Sequence, residues 1–149
     1  FPQLGIGEGG YPEKHPESPT KENDLIHLKE KVDAGADFIT TQLFFDNQVY
    51  FNFVYDCQKA QIQVPVLPGL LPVQSVGQIQ RFCKMCEASL PIQLLNELEN
   101  TDEDKQPKVG TDWAKNQVKG LLDKGIPGFH LYALNQSEAS LEILNWIRK

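Results

Sequence analysis

The chain has 149 residues, of which 40% are hydrophobic and 23% are charged, as is typical of a globular domain with an apolar core. The mean hydropathy is −0.38 and no apolar run is long enough for a membrane span, so we expect no membrane association. The formal net charge of −6 at pH 7, without a stripe of Lys and Arg, argues against nucleic acid as a partner.

The first half of the chain predicts two strands that alternate with two helices. Residues 2–10 predict a strand that runs into a glycine-rich bend. Ser18 then predicts a helix N-cap, with Pro19 in the first turn and Gly35 beyond the end. Residues 38–44 combine β-branched and aromatic side chains and predict the second strand, and the following Asp46 predicts the N-cap of the second helix.

The second half predicts two further strands and several helices. Residues 64–71 form a nearly continuous apolar run, as expected for a strand buried on both faces. Ser75 predicts the start of a helix, and a short helix is expected after Pro91. Residues 97–110 are acidic and polar and predict a long surface connection or a frayed helix start. The remaining elements are a helix from Trp113 to Gly125, a strand over residues 129–134 and a last helix capped by Ser137.

This alternation predicts the α/β fold class, with a parallel sheet and right-handed crossovers. Four βα units are half of a (β/α)8 barrel of the TIM type. Four strands cannot close into a barrel, so the outer two would keep unpaired backbone groups. The order of elements alone also allows a small open α/β sheet.

The cysteines and the first residue add two expectations. Three cysteines, an odd number, argue against a disulfide framework and for a reducing, cytoplasmic location. Cys83 and Cys86 have a CxxC spacing, but only Cys57 remains as a further thiolate, so we interpret the pair as core residues and expect no metal site. Because the chain begins with Phe1 and shows no signal peptide, we expect a piece of a longer protein.

The residues that carry chemistry are expected at the carboxyl ends of the strands. These ends supply mostly neutral hydrogen-bonding groups and aromatic rings, which favours a planar polar heterocycle as ligand over a hydrolytic reaction. A Ser–His pair and a Walker-type glycine loop are both missing from the set. The strand-end residues are Tyr11, Glu13, His15, Gln42, Asp46, Gly69, Tyr132, Asn135 and Gln136.

Four segments, which together extend over nearly the whole chain, resemble the methylenetetrahydrofolate reductase family in the family's order: residues 10–17, 35–46, 68–73 and 129–135. The resemblance identifies them with strands five to eight of a flavin-binding barrel. We therefore expect residues 1–149 to be the last four βα units, the C-terminal half of the catalytic barrel. The resemblance also implies a function: FAD-dependent reduction of 5,10-methylenetetrahydrofolate to 5-methyltetrahydrofolate with NADH or NADPH as hydride donor. This reaction belongs to the one-carbon metabolism that leads to methionine.

The resemblance implies cofactor contacts for six residues. Tyr11 matches the tyrosine that packs on the flavin, and His15 matches a histidine near the FAD phosphate or ribose. Asp24 and Lys31 lie two helical turns apart and match residues that contact the ribose, the adenine side and the pyrophosphate. Without the resemblance we would interpret these two as solvated helix charges. The neighbouring contact positions are Ser18 and His27.

The resemblance also implies five substrate contacts. Gln42 matches the glutamine that binds the folate and the nicotinamide in turn, and its amide suits a pterin edge because it donates and accepts hydrogen bonds. Gln78 and Phe82, four residues apart on one helical face, match further folate and nicotinamide contacts, and Tyr132 matches the folate pocket. Gln136 stands where the family commonly has Arg, and an amide cannot supply the charged fork that pairs with a folate carboxylate.

The replacement of Arg by Gln136 is one departure from the family, and Glu8 is a second; together with the missing catalytic acid they leave other functions open. The family's catalytic glutamate belongs to its first strand, so no residue of this chain inherits the role of general acid and none is assigned. Glu8 stands where small uncharged residues are typical, and its charge would disfavour a flavin phosphate unless it points away. The alternatives are a non-catalytic remnant that binds folate, flavin or a reductase subunit, and another barrel enzyme with a phosphorylated substrate. A homo-oligomer is compatible with each of these functions.

Overall fold

The computed structural model describes residues 4–148, and it confirms the predicted order of strands and helices. Residues 2 and 3 of the first predicted strand lie outside the described residues, and the rest of that prediction is wrong in its bounds. Residues 4–6 are not in a strand, and the strand is formed by Gly7–Gly10, where a bend was predicted. The strands are β1 (Gly7–Gly10), β2 (Phe38–Thr41), β3 (Val66–Leu67), β4 (Gly69–Leu70) and β5 (His130–Leu131). The helices are α1 (Lys21–Asp33), α2 (Asn47–Lys59), α3 (Val76–Cys86), α4 (Ile92–Glu99), α5 (Gln106–Leu122) and α6 (Ser137–Ile147), and a 3-10 turn over Glu103–Lys105 precedes α5.

All strand pairs are parallel, as predicted. β1 pairs with β2, β2 pairs with β3, and β4 pairs with β5. The predicted third strand is therefore divided at Pro68, which has no N–H to donate to a ladder. Its two halves pair on opposite sides, and the hydroxyl of Thr41 accepts a hydrogen bond of 2.9 Å from the backbone N–H of Gly69 across the break. The parallel α/β arrangement is confirmed, whereas the barrel type stays a prediction.

Two apolar clusters divide the interior. The first lies between the sheet and helices α1, α2, α5 and α6, and includes Ile39, Phe53 and Val118. The second lies at the carboxyl ends of β2 and β4, where α3 and α4 pack through residues such as Ile79 and Leu94. Burying each such side chain contributes about 1.5–3 kcal/mol. Helix α5 thus returns the chain along the sheet, while α3 and α4 cover the end of the sheet where the site is expected.

Asp46 and Ser75 are confirmed as N-caps, because each side chain accepts a hydrogen bond from a backbone N–H in the first turn of its helix. The prediction for Ser18 is wrong: Thr20 caps α1, and its hydroxyl accepts a hydrogen bond of 3.1 Å from the N–H of Asn23. Ser137 is not a cap either, since it is the first residue of α6 and the N-cap position is Gln136.

The surface connection predicted over residues 97–110 is too long, and the alternative prediction, a helix start within this segment, fits the structure better. Helix α4 extends to Glu99, and α5 begins at Gln106 instead of Trp113, with a proline in its first turn. The side chain of Gln106 is only 7% exposed. Its amide oxygen accepts a hydrogen bond of 3.1 Å from the N–H of Val76, which fixes the start of α5 against the start of α3.

The second and last strands are shorter than predicted. β2 ends at Thr41 and β5 spans two residues, because the ladder partners β1, β3 and β4 end there. The chain beyond β2 leaves the ladder and turns into α2, which places residues 42–46 at the carboxyl end of the sheet. Among residues 4–148, no helix has both the length and the apolar character that crossing a bilayer requires.

Candidate functional site

The carboxyl ends of the strands bring Tyr11, Gln42 and Tyr132 together. The backbone N–H of Gln42 donates a hydrogen bond of 2.7 Å to the carbonyl of Gly10, directly before Tyr11. The Tyr132 hydroxyl donates a hydrogen bond of 2.9 Å to the carbonyl of Thr41, directly before Gln42. Burial is the main cause that raises the pKa of Tyr132, and the nearby Cys86 and Tyr11 raise it further. The Tyr132 side chain is therefore uncharged, and its hydrogen bond to Thr41 fixes the orientation of the ring.

Within residues 4–148, the side chain of Gln42 makes one hydrogen bond. Its Oε1 accepts a hydrogen bond of 2.9 Å from the backbone N–H of the next residue, Leu43. This contact assigns the oxygen end of the amide, so the two N–H groups of Nε2 form the other end. Gln42 is thus oriented as a hydrogen-bond donor, a role that suits the carbonyl or ring nitrogen of a heterocycle.

A cleft between β1 and α1 brings together Tyr11, His15, Asp24, His27 and Lys31, all predicted cofactor contacts. The rings of Tyr11 and His15 meet edge to face, with centroids 4.4 Å apart. The cleft has a volume of about 30 Å³, which is the space of one small group and not of a whole dinucleotide. Any larger ligand would lie mainly outside it.

The carboxylate of Asp24 organises the loop after β1. Its two oxygens accept hydrogen bonds from the backbone N–H of His15, at 2.9 Å, and from the Ser18 hydroxyl, at 3.4 Å. The Nδ1 atom of His15 accepts a hydrogen bond of 3.1 Å from the N–H of Glu17, so the neutral ring carries its proton on Nε2. Asp24 and Ser18 therefore position the loop, and His15 is left with a donor for an anionic or carbonyl oxygen.

The side chain of Glu8 points toward Lys31, a predicted contact of the cofactor pyrophosphate. The Lys31 ammonium donates a hydrogen bond of 2.7 Å to the Glu8 carboxylate, and this bond is the main cause that lowers the pKa of Glu8. The two side chains are 53% and 30% exposed, respectively, so the pair contributes less than about 1 kcal/mol. The Lys31 charge is thus partly neutralised at the cleft, but the pairing is weak enough for an anion to replace it.

The loop after β1 is also tied to the end of α3, which sequence analysis did not anticipate. Glu13 accepts hydrogen bonds from the N–H of Ser89, at 2.7 Å, and from the Ser89 hydroxyl. The Lys14 ammonium lies 3.4 Å from the Glu87 carboxylate. Residues 13 and 89 are far apart in sequence, and no local pattern connects them. Among the strand-end residues, Glu13 thus has a structural partner instead of a free carboxylate.

The three remaining predicted substrate residues lie on α3 and at the N-cap of α6. The Gln78 amide oxygen accepts a hydrogen bond of 2.7 Å from the N–H of Gln74, which arranges the approach to α3. Phe82 is half-buried and packs against the second apolar cluster. Gln136 is exposed at the N-cap of α6, after two residues with positive φ, Leu134 and Asn135. Phe82 therefore has a clear packing role, while Gln136 is free to meet a ligand or solvent.

Cys83 and Cys86 are buried in the second cluster, as the core interpretation predicted. Burial is the main cause that raises the pKa of the Cys83 thiol to about 11, and the nearby carboxylate of Glu13 adds to the shift. Burial also raises the pKa of Cys86. Both thiols are therefore neutral and unreactive near pH 7.

The whole sequence resembles proteins of one family. The profile of the family described as Methylenetetrahydrofolate reductase matches residues 2–148. The chain is 39% identical over 144 residues to "Probable methylenetetrahydrofolate reductase (NADPH)" of Caenorhabditis elegans, covering 95% of this chain and 22% of that protein. It is 39% identical over 142 residues to "5,10-methylenetetrahydrofolate reductase" of Escherichia coli K12, covering 94% of this chain and 48% of that protein. The chain thus spans about half the length of the bacterial relative and less of the nematode one.

Another relative and a solved structure agree with this result. "Methylenetetrahydrofolate reductase (NADH) 1" of Arabidopsis thaliana is 37% identical over 152 residues, covering 95% of this chain and 26% of that protein. An uncharacterized protein from Clostridium thermocellum, described as binding two copies of 5-methyl-5,6,7,8-tetrahydrofolic acid, has a similar fold with a TM-score of 0.62. That similarity has 22% identity and covers 99% of this chain and 54% of the other, so it supports the fold alone.

Proposed function

Since the chain belongs to the methylenetetrahydrofolate reductase family, we propose that it supplies one wall of a site for FAD-dependent reduction of 5,10-methylenetetrahydrofolate to 5-methyltetrahydrofolate. The observation that carries this proposal is the meeting of Tyr11, Gln42 and Tyr132 at the carboxyl ends of parallel strands. NADH or NADPH would donate the hydride, and the named relatives include one of each kind.

The residues of the β1–α1 cleft fit part of FAD in their chemistry. Lys31 and the Nε2 proton of His15 are donors for phosphate or ribose oxygens, and Tyr11 offers a ring for an isoalloxazine. His27 is exposed at the same cleft. When bound, FAD would supply the hydride chemistry between the nicotinamide and the folate.

The contribution of this chain is to bind and orient the substrate. Gln42 would donate from Nε2 to a pterin acceptor, because its Oε1 is engaged by Leu43. Tyr132 would line the folate side with its ring fixed by the bond to the Thr41 carbonyl. α3 and α4 pack over this end of the sheet through the second cluster and would help to exclude water.

The Gln42 role is tested by the two half-reactions in the full-length protein. We expect Gln42→Ala to slow reoxidation of the reduced flavin by methylenetetrahydrofolate by about 10-fold to 100-fold, the scale of one lost hydrogen bond to a bound substrate. FAD retention should be unchanged, because the amide is not among the residues that line the β1–α1 cleft. Stopped-flow absorbance of the flavin measures both half-reactions.

Gln48→Ala is the matched control, because Gln48 is exposed on α2 and bonds to Asn52. Its reoxidation rate should equal that of the parent. A Gln42→Ala protein that reoxidises as fast as the parent would remove the proposed role.

A second candidate is a non-catalytic remnant that binds folate, flavin or a reductase subunit. It is favoured by the Glu8–Lys31 pair, which occupies the proposed phosphate contact, and by Gln136 in place of Arg. The same stopped-flow experiment separates the two candidates. A remnant would bind folate or flavin without hydride transfer, whereas the reductase would complete both half-reactions.

A further inference from the structure

The side chain of Tyr132 crosses the carboxyl end of the sheet and is held at both of its ends. The backbone N–H of Tyr132 donates a hydrogen bond of 2.9 Å to the carbonyl of Leu70 in β4. The hydroxyl at the other end of the ring donates a hydrogen bond of 2.9 Å to the carbonyl of Thr41, the last residue of β2. The ring therefore extends from the end of β5 to the end of β2.

Gly69, the first residue of β4, leaves the space that the ring needs. A Cβ added at Gly69 would lie 2.7 Å from the Cε2 atom of Tyr132 and 2.2 Å from the carbonyl oxygen of Thr41. These two groups are the partners of the hydrogen bond that holds the ring. Any side chain at position 69 would therefore push the Tyr132 hydroxyl and the Thr41 carbonyl apart, so the close approach of ring and backbone requires glycine.

The Thr41 hydroxyl fixes the position of Gly69 relative to β2. It accepts a hydrogen bond of 2.9 Å from the backbone N–H of Gly69, and Thr41 is 0% exposed. Because β2 and β4 belong to different sheets, this side-chain bond links them where Pro68 divides the strand. A buried N–H that loses its acceptor is unfavourable, so removing the hydroxyl would let Gly69 move away from β2 in search of another partner.

Thr41 also sets the position of the proposed substrate donor, because Gln42 follows it directly. The backbone N–H of Gln42 is bonded to the carbonyl of Gly10, so these two consecutive residues are tied to β1, to β4 and to the end of β5. We propose that Thr41 and Gly69 are positioning residues, which hold the Tyr132 ring and the Gln42 amide in a fixed relation so that one planar pterin ring contacts both. This inference rests on the proposed function, in which Gln42 and Tyr132 bind the folate.

Folate binding by the full-length, FAD-loaded protein tests the proposal, with 5-methyltetrahydrofolate as the ligand and the flavin absorbance spectrum as the signal. Thr41→Val keeps the shape of the side chain but removes the acceptor of the Gly69 N–H. It should raise the dissociation constant of the folate by about tenfold, the scale of one disturbed hydrogen bond. Thr41→Ser restores the acceptor and should bind the folate within about twofold of the parent. A role in stability alone would not produce this loss and rescue of affinity.

Thr111→Val is the matched control, because Thr111 is also a buried threonine and its hydroxyl donates a hydrogen bond of 2.8 Å to the carbonyl of Pro107 within α5. This variant should lose stability without a change in folate affinity.

Tyr132→Phe keeps the ring but removes the hydroxyl that reaches Thr41, and it should weaken folate binding by a similar factor. Because the two substitutions disturb one network, the double variant with Thr41→Val should bind about as tightly as the weaker single variant. Effects that multiply in the double variant would overturn the proposal.

The remaining outcomes separate this inference from the proposed function. A parent protein that does not bind 5-methyltetrahydrofolate would overturn the proposed function and this inference with it. A parent that binds the folate, together with a Thr41→Val protein that binds it as tightly, would overturn this inference alone, as would a Thr41→Ser protein that binds as weakly as Thr41→Val. If Thr41→Val does not fold, Tyr132→Phe decides, and an unchanged affinity of that variant would be equally contrary to the proposal.

Discussion

The Glu8–Lys31 ion pair sits at the cleft where a cofactor phosphate is proposed to bind. We predict that Glu8→Gln raises the affinity of the full-length protein for FAD by about threefold to tenfold. The reason is that the variant frees the Lys31 ammonium and removes a negative charge, and exposed pairs of this kind contribute up to about 1 kcal/mol. Quenching of FAD fluorescence during titration of the apoprotein measures the dissociation constant.

Glu22→Gln is the control for this change, because it removes the same charge from an exposed position in the first turn of α1. It should alter FAD affinity little. Weaker FAD binding by Glu8→Gln than by the parent would mean that Glu8 supports the cofactor instead of competing with it.

A buried thiol and a buried phenol in the first apolar cluster predict that the protein loses stability at high pH. Burial raises the pKa of the Cys57 thiol from 9.0 to about 12, and that of the Tyr50 hydroxyl from 10.0 to about 12. The folded state binds these protons more tightly than the unfolded state does. The folded protein is therefore fully stable below the pKa values of the unfolded state, and it loses free energy of unfolding as the pH rises toward the pKa values of the folded state. The free energy of unfolding should therefore fall between pH 9 and about pH 12.

Urea denaturation at several pH values between 8 and about 11 measures this slope. Cys57→Ser has no thiol to ionise, so its stability should fall less steeply with pH, whatever its stability at pH 8. Parallel slopes for the variant and the parent would contradict the assignment.

Among the helices, α5 is fitted closely to the end of β4. A Cβ added at Gly110 would lie 1.8 Å from the backbone carbonyl oxygen of Val73, an atom that cannot turn aside. We predict that Gly110→Ala lowers the free energy of unfolding by about 1–3 kcal/mol, because the helix must shift away from the strand. Urea denaturation of the two proteins measures the difference.

Gly77 provides the matched control, since a Cβ there would meet nothing within 4 Å on α3. Gly77→Ala should raise the free energy of unfolding by about 0.5–1 kcal/mol, because alanine is the better helix former. If Gly110→Ala were as stable as the parent, the close contact between α5 and Val73 would not exist in solution.

The elements that follow local rules could be predicted from the sequence, and those that depend on tertiary contacts could not. Asp46 and Ser75 were found as caps because capping involves only the next few residues. The start of α5 was missed because Gln106 is fixed by Val76, thirty residues earlier. The division at Pro68 could have been found, since its missing N–H is visible in the sequence.

The candidate site shows the same division. Periodicity placed Asp24 and Lys31 on one face of α1, and both line the cleft. Their interaction partners could not be found from any local pattern. Asp24 accepts a hydrogen bond from the backbone N–H of His15, and Lys31 forms an ion pair with Glu8.

For the whole molecule, the important feature is the pair of sheet edges. Within residues 4–148, β1 pairs only with β2, and β5 pairs only with β4. Ile6, next to β1, is 57% exposed. We predict that the 149-residue chain, expressed alone, self-associates through these edges, because unpaired strands bind other strands. Size-exclusion chromatography with light scattering measures the molar mass.

Ile6→Lys places a charge beside the β1 edge and should shift the distribution toward the monomer. The exposed helix residue Ile26 provides the control, since Ile26→Lys changes charge and hydropathy equally on α1, away from the edges. A monomeric parent that melts sharply and reversibly in one step would show that the edges are not adhesive.

The two ties between the loop after β1 and the end of α3 have a thermodynamic consequence. Glu13 and Lys14 fasten the loop that carries Tyr11 to the segment that follows α3. A ligand that immobilises the loop must then also restrict α3, and a ligand that grips α3 must restrict the loop. Through such reciprocal coupling, a ligand bound at the loop that carries Tyr11 changes the affinity of α3 for its own ligand, and the reverse holds as well. The two ligands need not touch each other.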